Sequence, residues 1–371
     1  VSHNIEELLN IVVFSDDKKL SDSGQRILRS NNYEIIEASS ESQFFVKGFQ
    51  KLMNSDYENE RSFGSFIEIM EVLLCVNPEM VSESFYFFKD LIDFAGIYNV
   101  DLMMKNLLSN NEELISLHLY LKDNGFVKNI VKKIKNYRES GISDTRLGYL
   151  FYYLTLCSKN DYLAEQCLLP SSLSVILDFK NDDTNEVISK QWELISELNL
   201  NNLDNLIEIL ENAIALIEYS NECFFSYDEH IINFISKTLK FNPKLFQRIN
   251  VDFLCCCIKK KILKNQNNTI AFKTINNLVL IGIRCKETQS TFINSFINFY
   301  IKIFLKTDNR ISHSFSYNLL LKVSETCEYD WQLNEILQKE EKYNKVIRND
   351  IQNVSSIMHK SYGQCLDYDE P

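Results

Sequence analysis

The chain has 371 residues, a net charge of −12, 45% hydrophobic and 24% charged residues, a balance that excludes wholesale disorder and collagen-like repeats. Nine Gly and four Pro are too few for the phosphate-binding loops, tight hairpins and multi-stranded barrels that depend on those residues. No stretch approaches the ~20 apolar residues that span a bilayer, and no signal peptide is visible. The first residue is Val1, so the sequence is expected to be a piece of a longer protein.

Taken in chain order, the polar stretch from Ser15 to Ser42 reads as part of a loop-rich N-terminal cap over residues 1–45. Val127, Ile130, Val131 and Ile134 then fall on one helical stripe, with Lys128, Lys132 and Lys135 on the opposite side. Leu147, Leu150, Leu154 and Cys157 make a second stripe. Leu203, Leu206, Ile207, Leu210, Ile214 and Ile217 make a third, and Ile231, Phe234, Ile235 and Leu239 a fourth. Short polar breaks separate these segments. Ser143-Asp144, Pro170-Ser171-Ser172 and Asn242-Pro243 suit helix starts, and Gly125 and Gly141 suit positions just past helix ends. Period-2 alternation is nearly absent, so no strand is predicted.

Roughly sixteen to eighteen helices of ordinary length account for the chain. Some, such as Thr291–Phe304, are apolar on more than one face and must be covered on both sides. Stacked helix pairs provide that cover. The predicted class is all-α, a HEAT/armadillo-like helical repeat solenoid of units of about 40 residues, with a globular bundle as the alternative. The chain is read as one elongated domain, residues 1–371, whose tail, 362–371, frays.

Charge is uneven. Residues 1–101 carry a balance of −10, residues 181–229 carry −11, and the remainder carries +9. Two acid-free basic runs stand out in that remainder: Lys128, Lys132, Lys133, Lys135 and Arg138, and Lys259, Lys260, Lys261, Lys264 and Lys273. Such runs are either solvated helix faces or a polarised surface for an acidic partner. No aromatic residues are interleaved for base stacking, which disfavours sequence-specific nucleic-acid readout.

Chemistry-bearing patterns are absent. The ten cysteines form no C-x-x-C pair and mostly sit in apolar runs, as small core residues do. The five histidines are scattered without zinc-ligand spacing. The acids at 204, 208, 211 and 218 trace the solvated face of one helix and not a catalytic cleft. No catalytic, cofactor-binding or metal-ligating residue is predicted.

Two segments nevertheless resemble the C-terminal domain of the Wapl (wings apart-like) family. Asn111–Ile134, NEELISLHLYLKDNGFVKNIVKKI, is similar to that family's F-R-x-x-L-R-x-x-G-x-V-x-x-I-F-x-A-L run, with Leu121, Gly125, Val127, Ile130, Val131 and Ile134 at its apolar and glycine positions. Thr145–Leu177 is similar to an apolar helix, an L-S-R-D-like turn at Leu156–Asp161 and a following helix opened by Pro170-Ser171-Ser172-Leu173. Ile275–Phe292 gives a weaker third likeness, and the three cover about 75 of the 371 residues. His118, Tyr120 and Lys122 depart from the family's Phe/Arg pattern, and the long acidic insertions of animal members are missing, which suits a fungal member.

The resemblance implies a non-enzymatic, nuclear, chromatin-associated scaffold without cofactor. Its partners would be cohesin: the SMC ATPase heads, the kleisin and the HEAT-type accessory subunits. It would promote ring opening and release from DNA, with no small-molecule substrate, no membrane and little direct DNA contact. Within the best-matched segment, the turn at Lys122, Asp123, Asn124 and Lys128 and the face of Lys132, Lys133 and Lys135 form the candidate contact with an acidic partner surface. Competing readings are a generic armadillo-type adaptor in trafficking, transport or chaperoning, and a thiol enzyme using Cys255–Cys257. Importin-like modules line their groove with regular Trp and Asn, and only Trp192 and Trp331 occur here.

Overall fold

Helix starts are set by side chains that satisfy the first free backbone amides. Asp144 accepts from the N–H groups of Arg146 and Leu147, Thr184 from Val187, Asn250 from Phe253 and Asn268 from Ala271. Gly125 and Gly141, at φ 66° and 68°, take the left-handed conformation that ends the preceding helices. The computed structural model describes residues 4–15, 17–28, 30, 32–41, 47–48, 64–70, 91–180, 182–200, 205–219 and 223–329. Among these residues there are helices and no strand, as the all-α reading predicts.

The chain divides into two compact units, Val1–Leu198 and Asn199–Pro371. The first holds α1 (Ile5–Phe14), α2 (Lys18–Leu28), α3 (Tyr33–Glu41), α4 (Tyr98–Leu107), α5 (Ile115–Asp123), α6 (Phe126–Glu139), α7 (Thr145–Lys159), α8 (Ala164–Cys167), α9 (Pro170–Ile176) and α10 (Asn185–Glu197). The second holds α11 (Leu206–Tyr219), α12 (Ser226–Phe241), α13 (Val251–Lys264), α14 (Thr269–Arg284), α15 (Gln289–Lys306) and α16 (Arg310–Tyr329). No Gly or Pro occurs between residues 181 and 229, so the unit boundary has no sequence punctuation.

Both units are built from stacked helix pairs, the arrangement of a helical repeat solenoid. In the second, α11, α13 and α15 pack in series as one layer and α12, α14 and α16 as the other. In the first, α7 packs between α4 and α10, while α6 joins it to α5, α8 and α9. The helices α7, α10, α12, α14 and α16 begin at residues 145, 185, 226, 269 and 310, which gives the repeat register that apolar stripes alone leave open.

The cores answer to the stripes. Val127, Ile130, Val131 and Ile134 of α6 are buried, as are Leu147, Leu150, Leu154 and Cys157 of α7. Trp192 of α10 is fully buried and stacked on Phe179, with ring centroids 5.2 Å apart. On α15, Phe292, Ile293, Phe296, Ile297, Tyr300 and Ile301 are buried, and α13, α14 and α16 cover it from several sides. Each such side chain contributes about 1.5–3 kcal/mol of burial free energy before conformational entropy is set against it.

One expectation is corrected. The stretch from Ser15 to Ser42, read as loop-rich, carries α2 and α3. Helix α2 is polar overall and buries only Ser21, Gly24 and Leu28. Its small residues let it lie close on α1: the Ser21 hydroxyl donates to the Val12 carbonyl at 2.8 Å, and a Cβ on Gly24 would meet Val12 at 2.6 Å. Close backbone approach takes the place of large buried side chains in a stretch that is polar on average. The frayed tail expected at 362–371 lies outside the described residues.

Candidate docking surfaces

The corner between α5 and α6 is rigid for local reasons. Gly125 donates its N–H to the Lys122 carbonyl at 3.1 Å, and the Asn124 amide donates to the Tyr120 carbonyl at 2.9 Å. From α8, the Gln166 amide donates to the Lys122 carbonyl at 3.0 Å. Asp123 and Asn124 are exposed and Lys122 is half-buried. On α6, Lys128, Lys132 and Lys135 are exposed on the side opposite the buried stripe, as their spacing requires. Lys128 and Lys132 have no ion-pair partner among the described residues, while Lys135 faces Glu139 at 3.7 Å, one turn on.

The rest of this basic run is committed to the fold. Lys133 pairs with Asp93 and lies 5.4 Å from the centre of the Tyr137 ring. The Arg138 side chain is 5% exposed and binds Asp183, itself nearly buried, at 2.8 Å. Its guanidinium also donates to the Gln191 side chain, to the carbonyls of Val175 and Asp178, and sits over the Phe151 ring. Arg138 therefore clamps α6 to α10 and to the turn before it. Of the seven residues singled out from sequence, the structure brings Lys128, Lys132 and Lys135 onto one exposed face and Lys122, Asp123 and Asn124 to its adjoining turn. Lys133 is half-buried and paired with Asp93.

One member of the second basic run is likewise committed to the fold. Lys261 is 1% exposed and pairs with the fully buried Asp228 at 2.9 Å, donating also to the Cys223 carbonyl. Burial lowers the Lys261 pKa, and the Asp228 hydrogen bond opposes that shift. This pair joins α12 to α13. Only Lys259, Lys260, Lys264 and Lys273 remain as solvent-facing or half-buried charges.

Other ionisable groups are internal. His118 is buried and donates Nε2–H to the Leu107 carbonyl at 2.7 Å, and burial lowers its pKa. Asp101, 6% exposed, accepts from the Tyr153 hydroxyl and from the Gly96 N–H at 3.1 Å, while its Oδ2 has no hydrogen-bond partner. Burial raises its pKa to about 6. The thiols of Cys167 and Cys255 are pushed up to about 12 by burial, which makes them poor nucleophiles at neutral pH. No group of His, Cys, Asp and Glu suited to a metal ion occurs among the described residues.

A groove of about 720 Å³ lies in the second unit, along α12, α14 and α16. Its polar rim includes Asn233, Asn277, Asn318, Lys273, Lys322 and Glu229. Sequence reasoning missed these asparagines. The available signal was their spacing, 44 and 41 residues, which matches the helix repeat but is invisible until that repeat has a register.

No protein-family model matches the sequence, and no curated protein matches it. Among solved structures, the crystal structure of an engineered protein is similar to this chain with a TM-score of 0.50 and 13% identity, covering 95% of this chain and 88% of its own. Identity at that level speaks for a shared fold alone, so the function has to be argued from the surfaces. No helix among the described residues is long and apolar enough to cross a membrane.

Proposed function

We propose that this protein is a non-enzymatic docking scaffold whose α5–α6 corner and exposed α6 face bind an acidic protein surface, and that the partner is cohesin. The observation that carries the docking reading is the pair of unpartnered lysines, Lys128 and Lys132, on a helix whose other side is buried and whose end is clamped by Arg138. A rigid scaffold presents such charges without the ordering cost that a mobile loop would add. Rim charges of this kind govern association rate and partner choice more than raw affinity. The choice of cohesin rests on the resemblance of Asn111–Ile134 and Thr145–Leu177 to the Wapl family. In that reading the scaffold engages the SMC ATPase heads with the kleisin and HEAT-type accessory subunits in the nucleus, and favours ring opening and release from DNA.

The test is binding of purified cohesin to the native chain and to the K128E/K132E variant across a salt series. The reading predicts that the variant binds at least about tenfold more weakly at low salt and that the two converge as salt screens the contact. Equal, salt-insensitive binding would show that the α6 face is not the contact. No binding of cohesin by the native chain would remove the partner assignment.

A further inference from the structure

We propose that the groove along α12, α14 and α16 is a binding site for an extended, acidic polypeptide segment, recognised through its backbone. It lies in the other compact unit from the lysine face and does not rest on the cohesin reading.

Three side-chain amides carry the argument. Asn277 and Asn318 are exposed, Asn233 is half-buried, and none of the three has a hydrogen-bond partner within the described residues. They stand on three helices that pack in series. An Asn amide offers one acceptor and a donor group in a single plane, which matches the C=O and N–H of a peptide unit. Helical and sheet-bound backbones have already used those groups, so a ladder of free amides selects an extended, unpaired chain. Packed helices lie about 8–10 Å apart, and an extended chain rises about 3.3 Å per residue. Successive amides therefore meet the backbone roughly every third residue.

The neighbouring asparagine shows why the groove keeps its shape. Asn276 is buried, accepts from the Tyr300 hydroxyl at 2.6 Å and donates to the Phe315 carbonyl at 3.0 Å, so it ties α14 to α15 and α16. Phe272 stacks on Phe315 at 5.4 Å, and Arg284 donates to the Thr326 hydroxyl at 3.0 Å farther along the same helix pair. The two helices are thus fixed at several levels, and the backbone positions that carry Asn277 and Asn318 are set before anything binds. Preorganisation of this kind lowers the ordering cost of binding.

Charge selects the occupant. Lys273 stands one turn before Asn277, and Lys322 one turn after Asn318. Neither lysine has an ion-pair partner among the described residues, and the single acid on the rim is Glu229, one turn before Asn233. Carboxylates flanking the recognised stretch complement the two lysines. Leu280, Phe315 and Leu319 leave room for small apolar side chains between them.

The probe is a fluorescein-labelled, unstructured peptide of about twelve alternating Asp, Val and Ser residues, long enough at about 3.3 Å per residue to cross three helices. Fluorescence anisotropy with the full chain should give saturable binding. Asn277→Ala and Asn318→Ala should each weaken it about 3–10-fold, the size of one hydrogen bond, while circular dichroism and the melting temperature stay unchanged. N-methylation of backbone amides in the middle of the peptide should weaken binding to the native chain by a similar factor without touching charge. That arm keeps the test valid even if an Asn variant misfolds. No saturable binding up to millimolar peptide, equal affinity for a Lys-for-Asp control peptide, or indifference to N-methylation would each overturn the proposal.

Discussion

Asp101 gives a prediction that can be worked from the structure. It is buried on α4, its Oδ1 is held by Tyr153 and Gly96, its Oδ2 lacks a partner, and its pKa rises from 3.8 to about 6. An acid whose folded pKa exceeds its unfolded value favours the fold when protonated. Its contribution is fully present below the unfolded pKa and lost as pH rises through about 6. The full difference is about 3 kcal/mol, and roughly half of it is recovered between pH 7.5 and pH 5. Asn at this position keeps the Oδ1 acceptor and cannot ionise. Urea unfolding of the native chain and of Asp101→Asn at about pH 5 and pH 7.5 measures the effect, and other titrating groups cancel in the double difference. The native chain should gain on the order of 1 kcal/mol more than the variant on acidification, and the variant should be the more stable at the higher pH. Identical pH profiles for the two proteins would refute the reasoning.

Four further outcomes concern stability. Asp228→Ala strands Lys261 in the core and should cost about 3–5 kcal/mol in urea unfolding, whereas the double change D228L/K261M should recover most of that loss. Gly282→Ala should destabilise by about 1–3 kcal/mol, because a Cβ there runs into the Phe292 ring, and this overpacking outweighs the gain of up to about 1 kcal/mol from helix propensity. Arg138→Ala leaves the nearly buried Asp183 without its partner and should cost about 3–5 kcal/mol in urea unfolding, while K128E/K132E should change stability by less than about 0.5 kcal/mol per site in the same assay.

How much of this was legible in the sequence depended on whether the signal was local. The stripes of α6, α7 and α12 specified buried faces correctly, and Ser143-Asp144, Gly125 and Gly141 marked helix ends through capping chemistry that acts within a few residues. Helix α2 was missed because the stretch is polar on average and its buried face is mostly small residues, Ser21 and Gly24, with Leu28. The basic runs misled for a different reason: Lys133, Arg138 and Lys261 are neutralised by Asp93, Asp183 and Asp228, acids 33 to 45 residues away in the chain. Charge in a linear window does not show pairing across a repeat. The groove asparagines escaped for the same cause, since Asn233, Asn277 and Asn318 become neighbours only once three helices are stacked. The family resemblance lies largely on apolar and glycine positions, which the fold itself demands, so the partner has to be tested by binding.

The most direct measurement is affinity capture from nuclear extract with the native chain and K128E/K132E side by side, read by quantitative mass spectrometry. The account predicts SMC, kleisin and accessory cohesin subunits enriched together on the native chain and depleted on the variant. A native chain that retains no cohesin subunit, or a variant that retains them equally, would contradict it.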